Sequence, residues 1–266
     1  MGFVDGVEVL DQSAGQLVPE ARDLVNGRIL LRIYSEHITV EQVRNALTPY
    51  PNANVCDVVR ITDDWKEQWK SFFHRTVIGQ RIVVRPPWEE ASTDANHINV
   101  VIEPGMAFGT GLHETTQLCA QVLEQTLIED TQILDVGCGS GILSIIAAKL
   151  GAEHIQAIDI DPDSIAATRE NSERNGVASL ITPSTNSLAT IDKTFDLVVA
   201  NILSHILVEL AADLCRCVRH GGKLLLSGIL LEKADGISAC FRKHGMQLET
   251  QKQDGQWVAQ VWRRLR

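Results

Sequence analysis

The feature that most constrains this chain is the run I-L-D-V-G-C-G-S-G-I-L-S-I-I-A-A at residues 133–148, with an aspartate following at position 159. Ile133 and Leu134 carry too little polarity for an exposed strand, and Gly137, Gly139 and Gly141 then recur at a spacing of two. Glycine lets the backbone take positive φ and lets a ligand approach with no Cβ in the way. Ile142, Ile145, Ile146 and Leu150 form an i, i+3, i+4, i+8 stripe, which predicts a helix closed by Gly151. Residues 154–158 read as a second strand ending at Asp159. Asp161 caps a further helix, with Pro162 in its first position and Gly176 past its end. Strand, helix, strand, helix with short connections is a parallel, right-handed crossover unit. A carboxylate at the end of its second strand can accept both hydroxyls of a ribose. Turn and acid together predict a pocket for a nucleotide-like cofactor; the plainer alternative is a glycine-rich turn that binds nothing.

The spacing discriminates among such pockets. A nicotinamide dehydrogenase places its third glycine five residues after the first; here it comes four after, and Ile142 holds the dehydrogenase position. No Lys-Ser/Thr pair follows, as a phosphate loop requires. Asp135 stands two residues before Gly137. The resulting D-x-G-x-G-x-G resembles the class I methyltransferases, a resemblance that implies S-adenosyl-L-methionine as cofactor.

A length of 266 residues with 44% apolar content suits one large α/β domain plus a small one. No apolar stretch reaches about 18 residues, so no ordinary membrane span is expected. The opening M-G-F-V-D-G-V-E lacks the features of a signal peptide. The cysteines at 56, 119, 138, 215, 217 and 240 form no C-x-x-C pair and read as reduced thiols of a cytoplasmic protein. The histidines show no H-x-x-x-H spacing, so no metal site is predicted. A net charge of −10 disfavours direct nucleic-acid binding and suits a basic partner.

Residues 6–10 and 28–34 read as strands, 39–47 as a helix and 55–61 as a further strand, a small layer over residues 1–60. Within a linker-helix segment at 61–76, Asp63 or Asp64 can cap a helix running to about Phe73, with Trp65, Trp69, Phe72 and Phe73 along one stripe. The large domain, 77–266, starts with strands at 81–85 and 98–102. Beyond residue 176 the alternation continues with a strand at 195–200 ending in Asn201. Next come a helix from Ser204 to Arg219 stopped by Gly221 and Gly222, a strand at 224–227 and a helix at 232–243. A hairpin of 246–253 and 256–262 turns about Asp254-Gly255. An α/β sheet closing on an antiparallel hairpin is similar to the seven-stranded, Rossmann-like methyltransferase sheet.

A second signature, E-P-G-M-A-F-G-T-G-L-H-E-T-T, occupies residues 103–116. A helix beginning near His113 puts Thr115 and Thr116 in its first turn, where hydroxyls and free N–H groups face a ligand; a structural loop with a capped helix is the alternative. Together with V-V-A-N-I-L at 198–203, D-D-W-K-E-Q-W at 63–69, R-P-P-W at 85–88 and L-L-L-S-G-I-L at 224–230, this stretch closely resembles the PrmA family. That family methylates the large-subunit ribosomal protein L-eleven, and the resemblance runs through nearly the whole chain from about Gly6.

The resemblance implies a class I catalytic domain, a linker helix and a ferredoxin-like N-terminal domain that grips the substrate. The family's first strand and helix have no counterpart here, so a shortened N-terminal α+β domain is expected. The implied cofactor contacts are Thr116, Gly137, Asp159 and Asn201. Gly139 and Gly141 complete the turn, and Phe108, Gly109 and Thr110 match the loop over the methionine end. The family's G-T-H-P-T-T is here G-L-H-E-T-T, with Leu112 and Glu114. The implied reaction moves methyl groups from S-adenosyl-L-methionine to lysine or α-amino groups of a basic ribosomal protein. A different protein target is one alternative, and a non-catalytic binding or assembly factor is another. Asn201 is expected to position cofactor or acceptor, and no general base is assigned. Ile202-Leu203-Ser204 in place of Pro-Pro-Tyr argues against planar amide and adenine acceptors. His113 and His205 are read as structural.

Overall fold

In the computed structural model the described residues are 6–10, 30–34, 39–50, 73–104, 109, 111 and 113–265. The chain divides into two compact units, Met1–Glu67 and Gln68–Arg266. In the first, β1 (Gly6–Leu10) and β2 (Leu30–Tyr34) pair antiparallel, Gly6 opposite Tyr34. Helix α1 (Val40–Leu47) opens on a capping box. Gln42 N donates to Thr39 Oγ1 at 3.3 Å, and Thr39 N donates to Gln42 Oε1 at 2.8 Å. The strand expected at 55–61 and most of the linker helix, with Trp65, Trp69 and Phe72, lie outside the described residues. Residues 73–75 are irregular, and β-branched Thr76 opens a strand.

That strand, β3 (Thr76–Ile78), pairs antiparallel with β4 (Ile82–Arg85), which pairs parallel with β5 (Ile98–Val101). Next come α2 (Glu114–Thr126), β6 (Gln132–Val136), α3 (Ile142–Lys149), β7 (His154–Ile158) and α4 (Pro162–Arg174). They are followed by β8 (Ile181–Ser184), β9 (Phe195–Asn201), α5 (Ser204–Glu209) and α6 (Ala211–Cys217). The unit closes with β10 (Val218–Leu230), α7 (Ala234–Lys243), β11 (Met246–Asp254) and β12 (Trp257–Arg264). The seven-stranded sheet runs β11-β12-β10-β9-β6-β7-β8. Its strands from β10 to β8 are parallel, and β12 and β11 add antiparallel at one edge.

Period-two alternation explains why the central strands are apolar throughout. Ile133, Val199 and Leu225 pack with Leu118, Leu123, Ile142 and Ile146 on one face. Leu134, Val198, Leu224 and Leu226 pack with Leu207, Leu214, Phe241 and Trp262 on the other. A sheet covered by helices on both faces has no polar side to alternate with.

Three expectations are corrected. The helix expected from Ser204 to Arg219 is two helices that break at Leu210, where no Gly or Pro marks the sequence. Ser204 is not its cap: it lies in the first turn, and its hydroxyl donates to Gly228 O at 3.1 Å. Strand β10 begins at Val218 rather than 224, because Val218 already pairs with Phe195; the register shift before Lys223 contains Gly221, at φ 73°. Strand β8 was not foreseen. It is short, contains Pro183 and forms the sheet edge, where a missing N–H is tolerated.

Candidate functional site

Strands β9, β6 and β7 are neighbours, and their C-terminal ends deliver Asn201, the Gly137 turn and Asp159 side by side. Open α/β sheets bind ligands at this edge. The turn takes left-handed backbone at Gly137 (φ 75°), Gly139 (54°) and Gly141 (80°), which L side chains rarely adopt. Gly141 then leads directly into α3 with no side-chain cap. The turn is lashed to β7: Gly137 N and Cys138 N both donate to Ile158 O, at 2.8 and 3.1 Å.

Asp159 is half-buried and held from two sides. Gly139 N donates to Oδ2 at 2.9 Å, and Asp161 N donates to Oδ1 at 3.0 Å. Each carboxylate oxygen keeps a further acceptor direction, the capacity needed for two vicinal hydroxyls. The next residue, Ile160, is 93% exposed, a large apolar side chain standing beside the acid. The sequence signal for it is an apolar residue set between Asp159 and Asp161.

The expectation that both threonine hydroxyls of α2 face a ligand is not met. His113 caps the helix: Thr115 N donates to its Nδ1 at 3.2 Å, and the Thr115 hydroxyl lies 2.9 Å from the same nitrogen. Thr116 is 1% exposed, and Asn201 Nδ2 donates to its Oγ1 at 3.5 Å. Thr116 therefore meets Asn201 across the site. No donor among the described residues reaches Asn201 Oδ1. The Thr115 N–H thus engages Nδ1 of His113 as the helix cap. His113 also stacks edge-on against Trp257 at 4.9 Å.

Beneath the turn, Asp135 is 2% exposed and accepts from Ser144 Oγ at 2.6 Å. Burial pushes its carboxyl up to about 6; the Ser144 bond opposes this and the charge of Asp159 adds to it. Burial likewise pushes the Cys138 thiol up to about 12, with Asp135 reinforcing the shift. Cys138 is therefore a thiol at neutral pH, not a nucleophile. Phe108 and Thr110 lie outside the described residues; Gly109 lies against the turn, its carbonyl accepting from Ser140 Oγ at 2.6 Å.

The donor set fits S-adenosyl-L-methionine: open acceptor directions on Asp159, an apolar face at Ile160 and a turn without Cβ atoms at Gly137, Gly139 and Gly141. Among the described residues no three His, Cys, Asp or Glu side chains converge as metal ligands, and no helix is long and apolar enough to cross a membrane.

A family model described as Ribosomal protein L11 methyltransferase (PrmA) matches residues 16–264. The ribosomal protein L11 methyltransferase of Citrifermentans bemidjiense is 44% identical over 216 residues, 79% of this chain and 70% of that protein. That of Chloroflexus aurantiacus is 36% identical, with 99% of this chain and 91% of that protein covered. The chain spans 63% to 70% of the length of four such relatives, which include the Citrifermentans protein. The crystal structure of the ribosomal protein L11 methylase from Lactobacillus delbrueckii subsp. bulgaricus aligns with a TM-score of 0.69 at 33% identity. That alignment covers 73% of this chain and all of that one. Because the match runs through the pocket and through the sequence on either side of it, the chain belongs to the Ribosomal protein L11 methyltransferase (PrmA) family.

Proposed function

We propose that this protein moves methyl groups from S-adenosyl-L-methionine to lysine or α-amino groups of large-subunit ribosomal protein L11, in the cytoplasm. The observation that carries the reading is the Asp159 carboxylate, oriented by two backbone N–H groups beside the Gly137 turn. In this reading Asp159 holds the ribose hydroxyls and Ile160 covers the adenine. Gly137, Gly139, Gly141 and Thr116 line the rest of the cofactor, with Phe108, Gly109 and Thr110 over its methionine end. The cofactor supplies a methyl group already activated on a sulfonium.

The chain's task is alignment and desolvation. Asn201 Oδ1 accepts a hydrogen bond from the acceptor amine and aims its lone pair. No general base is assigned, so the amine must enter neutral, against a lysine pKa of about 10.4. Ile202 and Leu203, beside Asn201, supply the apolar surface that favours the neutral form. The N-terminal unit grips the protein substrate. The net charge of −10 favours a basic protein over ribosomal RNA as the contacted partner.

The test is transfer of labelled methyl from S-adenosyl-L-methionine into a methylation-naive ribosomal extract, read by intact-protein mass. Methylation confined to L11 is the expected result. Label on another protein would keep the chemistry and replace the substrate. Cofactor binding with no label anywhere would overturn the assignment as an enzyme.

A further inference from the structure

The inward face of α4 is polar where an ordinary helix of a covered sheet is apolar. Ser164, Thr168, Asn171 and Asn175 recur at helical spacing, and Thr168 and Asn171 are no more than 1% exposed. Ser164 donates to the Asp161 carboxylate, whereas Thr168 and Asn171 reach backbone groups of the glycine-rich turn and of Glu103. Thr168 Oγ1 donates to Gly139 O at 2.9 Å. Asn171 Nδ2 donates to Ser140 O at 2.9 Å, and Asn171 Oδ1 accepts from Glu103 N at 3.0 Å. Ser140 in turn donates its hydroxyl to Gly109 O. The contact at Gly109 is close: a Cβ built there would stand 2.8 Å from Ser140 Oγ, at a φ of 105°.

A single buried amide therefore joins the glycine-rich turn to the start of the 103–116 stretch. One turn further along α4, Asn175 makes a similar pair, to Val101 N at 2.9 Å and Val101 O at 2.6 Å. That pair anchors β5; the same amide also donates to Asn171 O at 2.7 Å, but it bonds neither the glycine-rich turn nor Glu103, so Asn175 serves as an internal control.

We infer that Asn171 is a positioning residue for cofactor binding: through Ser140 O and Glu103 N it sets the spacing between the two walls of the pocket, with Ser140 as the second tie. The inference rests on the proposed cofactor. Removing the amide leaves a buried donor and a buried acceptor on two different walls without partners, and each wall relaxes independently.

The test uses the full chain and its variants Asn171→Ala, Ser140→Ala and Asn175→Ala. Titration calorimetry with S-adenosylhomocysteine would give Kd. Steady-state rates would give KM for S-adenosyl-L-methionine and for the protein acceptor separately. All measurements are made well below each Tm. Asn171→Ala is expected to weaken S-adenosylhomocysteine by about tenfold and to raise the cofactor KM while the acceptor KM stays put. Ser140→Ala should shift the same quantities by about threefold, and Asn175→Ala should lower Tm without moving Kd. A merely structural Asn171 would behave like Asn175. If Asn171→Ala folds and keeps Kd within about twofold of wild type, the inference is wrong while the function stands. Should Asn171→Ala fail to fold, an unchanged Kd in Ser140→Ala overturns it in the same way. Wild type that binds neither S-adenosylhomocysteine nor S-adenosyl-L-methionine would overturn the function itself and this inference with it.

Discussion

Two carboxylates beside one turn have opposite tasks because their surroundings differ. Asp159 receives a backbone N–H on each oxygen and is only half-buried, so its remaining acceptor directions are oriented and open. Replacing it by alanine is expected to weaken S-adenosylhomocysteine by about tenfold to a hundredfold, the worth of hydrogen bonds to a charged group. Calorimetry would show it, and an unchanged Kd would remove Asp159 from the site. Asp135 is buried with one hydroxyl partner, and its carboxyl is raised from the usual 3.8 to about 6. A raised carboxyl pKa stabilises the fold below the ordinary value, and that contribution is lost as pH rises from about 4 through 6. Asp135→Asn removes the ionisation. The variant should therefore exceed wild type in stability above pH 6, by up to about 3 kcal/mol, with the advantage shrinking toward pH 4. Urea unfolding at pH 4.5 and 7.5 would measure it. A pH-independent difference would mean that Asp135 is not titrating in this window.

At the scale of elements, the site is assembled by helix ends and by side chains that act on backbone. His113 is where this is clearest, since one ring nitrogen closes the N-terminus of α2 and the ring packs on Trp257. His113→Ala should cost about 1–2 kcal/mol through the lost cap and leave the pH dependence of methyl transfer unshifted. A lost ionisation in the pH–rate profile would instead make His113 a base. Asn175 tests the other helix. Its amide satisfies both backbone groups of Val101, so Asn175→Ala should cost about 1–3 kcal/mol of unfolding free energy. Denaturant melts would report that loss.

At the scale of the molecule, every residue assigned to the cofactor belongs to the unit Gln68–Arg266, and none belongs to Met1–Glu67. The proposed function assigns cofactor binding to the larger unit and selection of the protein to the smaller one. Residues 68–266 expressed alone should bind S-adenosylhomocysteine within about threefold of the full chain and lose methyl transfer to L11. Retained transfer would show that the catalytic unit recognises its substrate unaided. Cofactor binding lost by a folded fragment would show instead that the N-terminal unit completes the pocket.

What the sequence determined by itself was whatever local spacing encodes. Three glycines after an apolar strand, an acid one crossover later, Asn201 at a strand end and Asp254-Gly255 between alternating runs each carry their meaning within a few residues or one crossover. They were enough for the parallel core and the closing hairpin, and for the residues that the proposed pocket draws on. The tertiary structure decided what depends on distant partners. Nothing in the local sequence sets Asn171 and Asn175 apart from other polar helix residues. Only its bonds to Ser140 and Glu103, 31 and 68 residues away, make Asn171 part of the pocket's frame, while Asn175 ties down Val101 of β5, 74 residues away. His113 read as structural, but its capping role needs the geometry of the helix start, and the elevated carboxyl of Asp135 needs the burial that α3 and the sheet impose. The break at Leu210 carries no Gly or Pro, so periodicity alone runs straight through it. Local chemistry chooses the elements, and the hydrogen bonds and burial that tune the site exist only once those elements are packed.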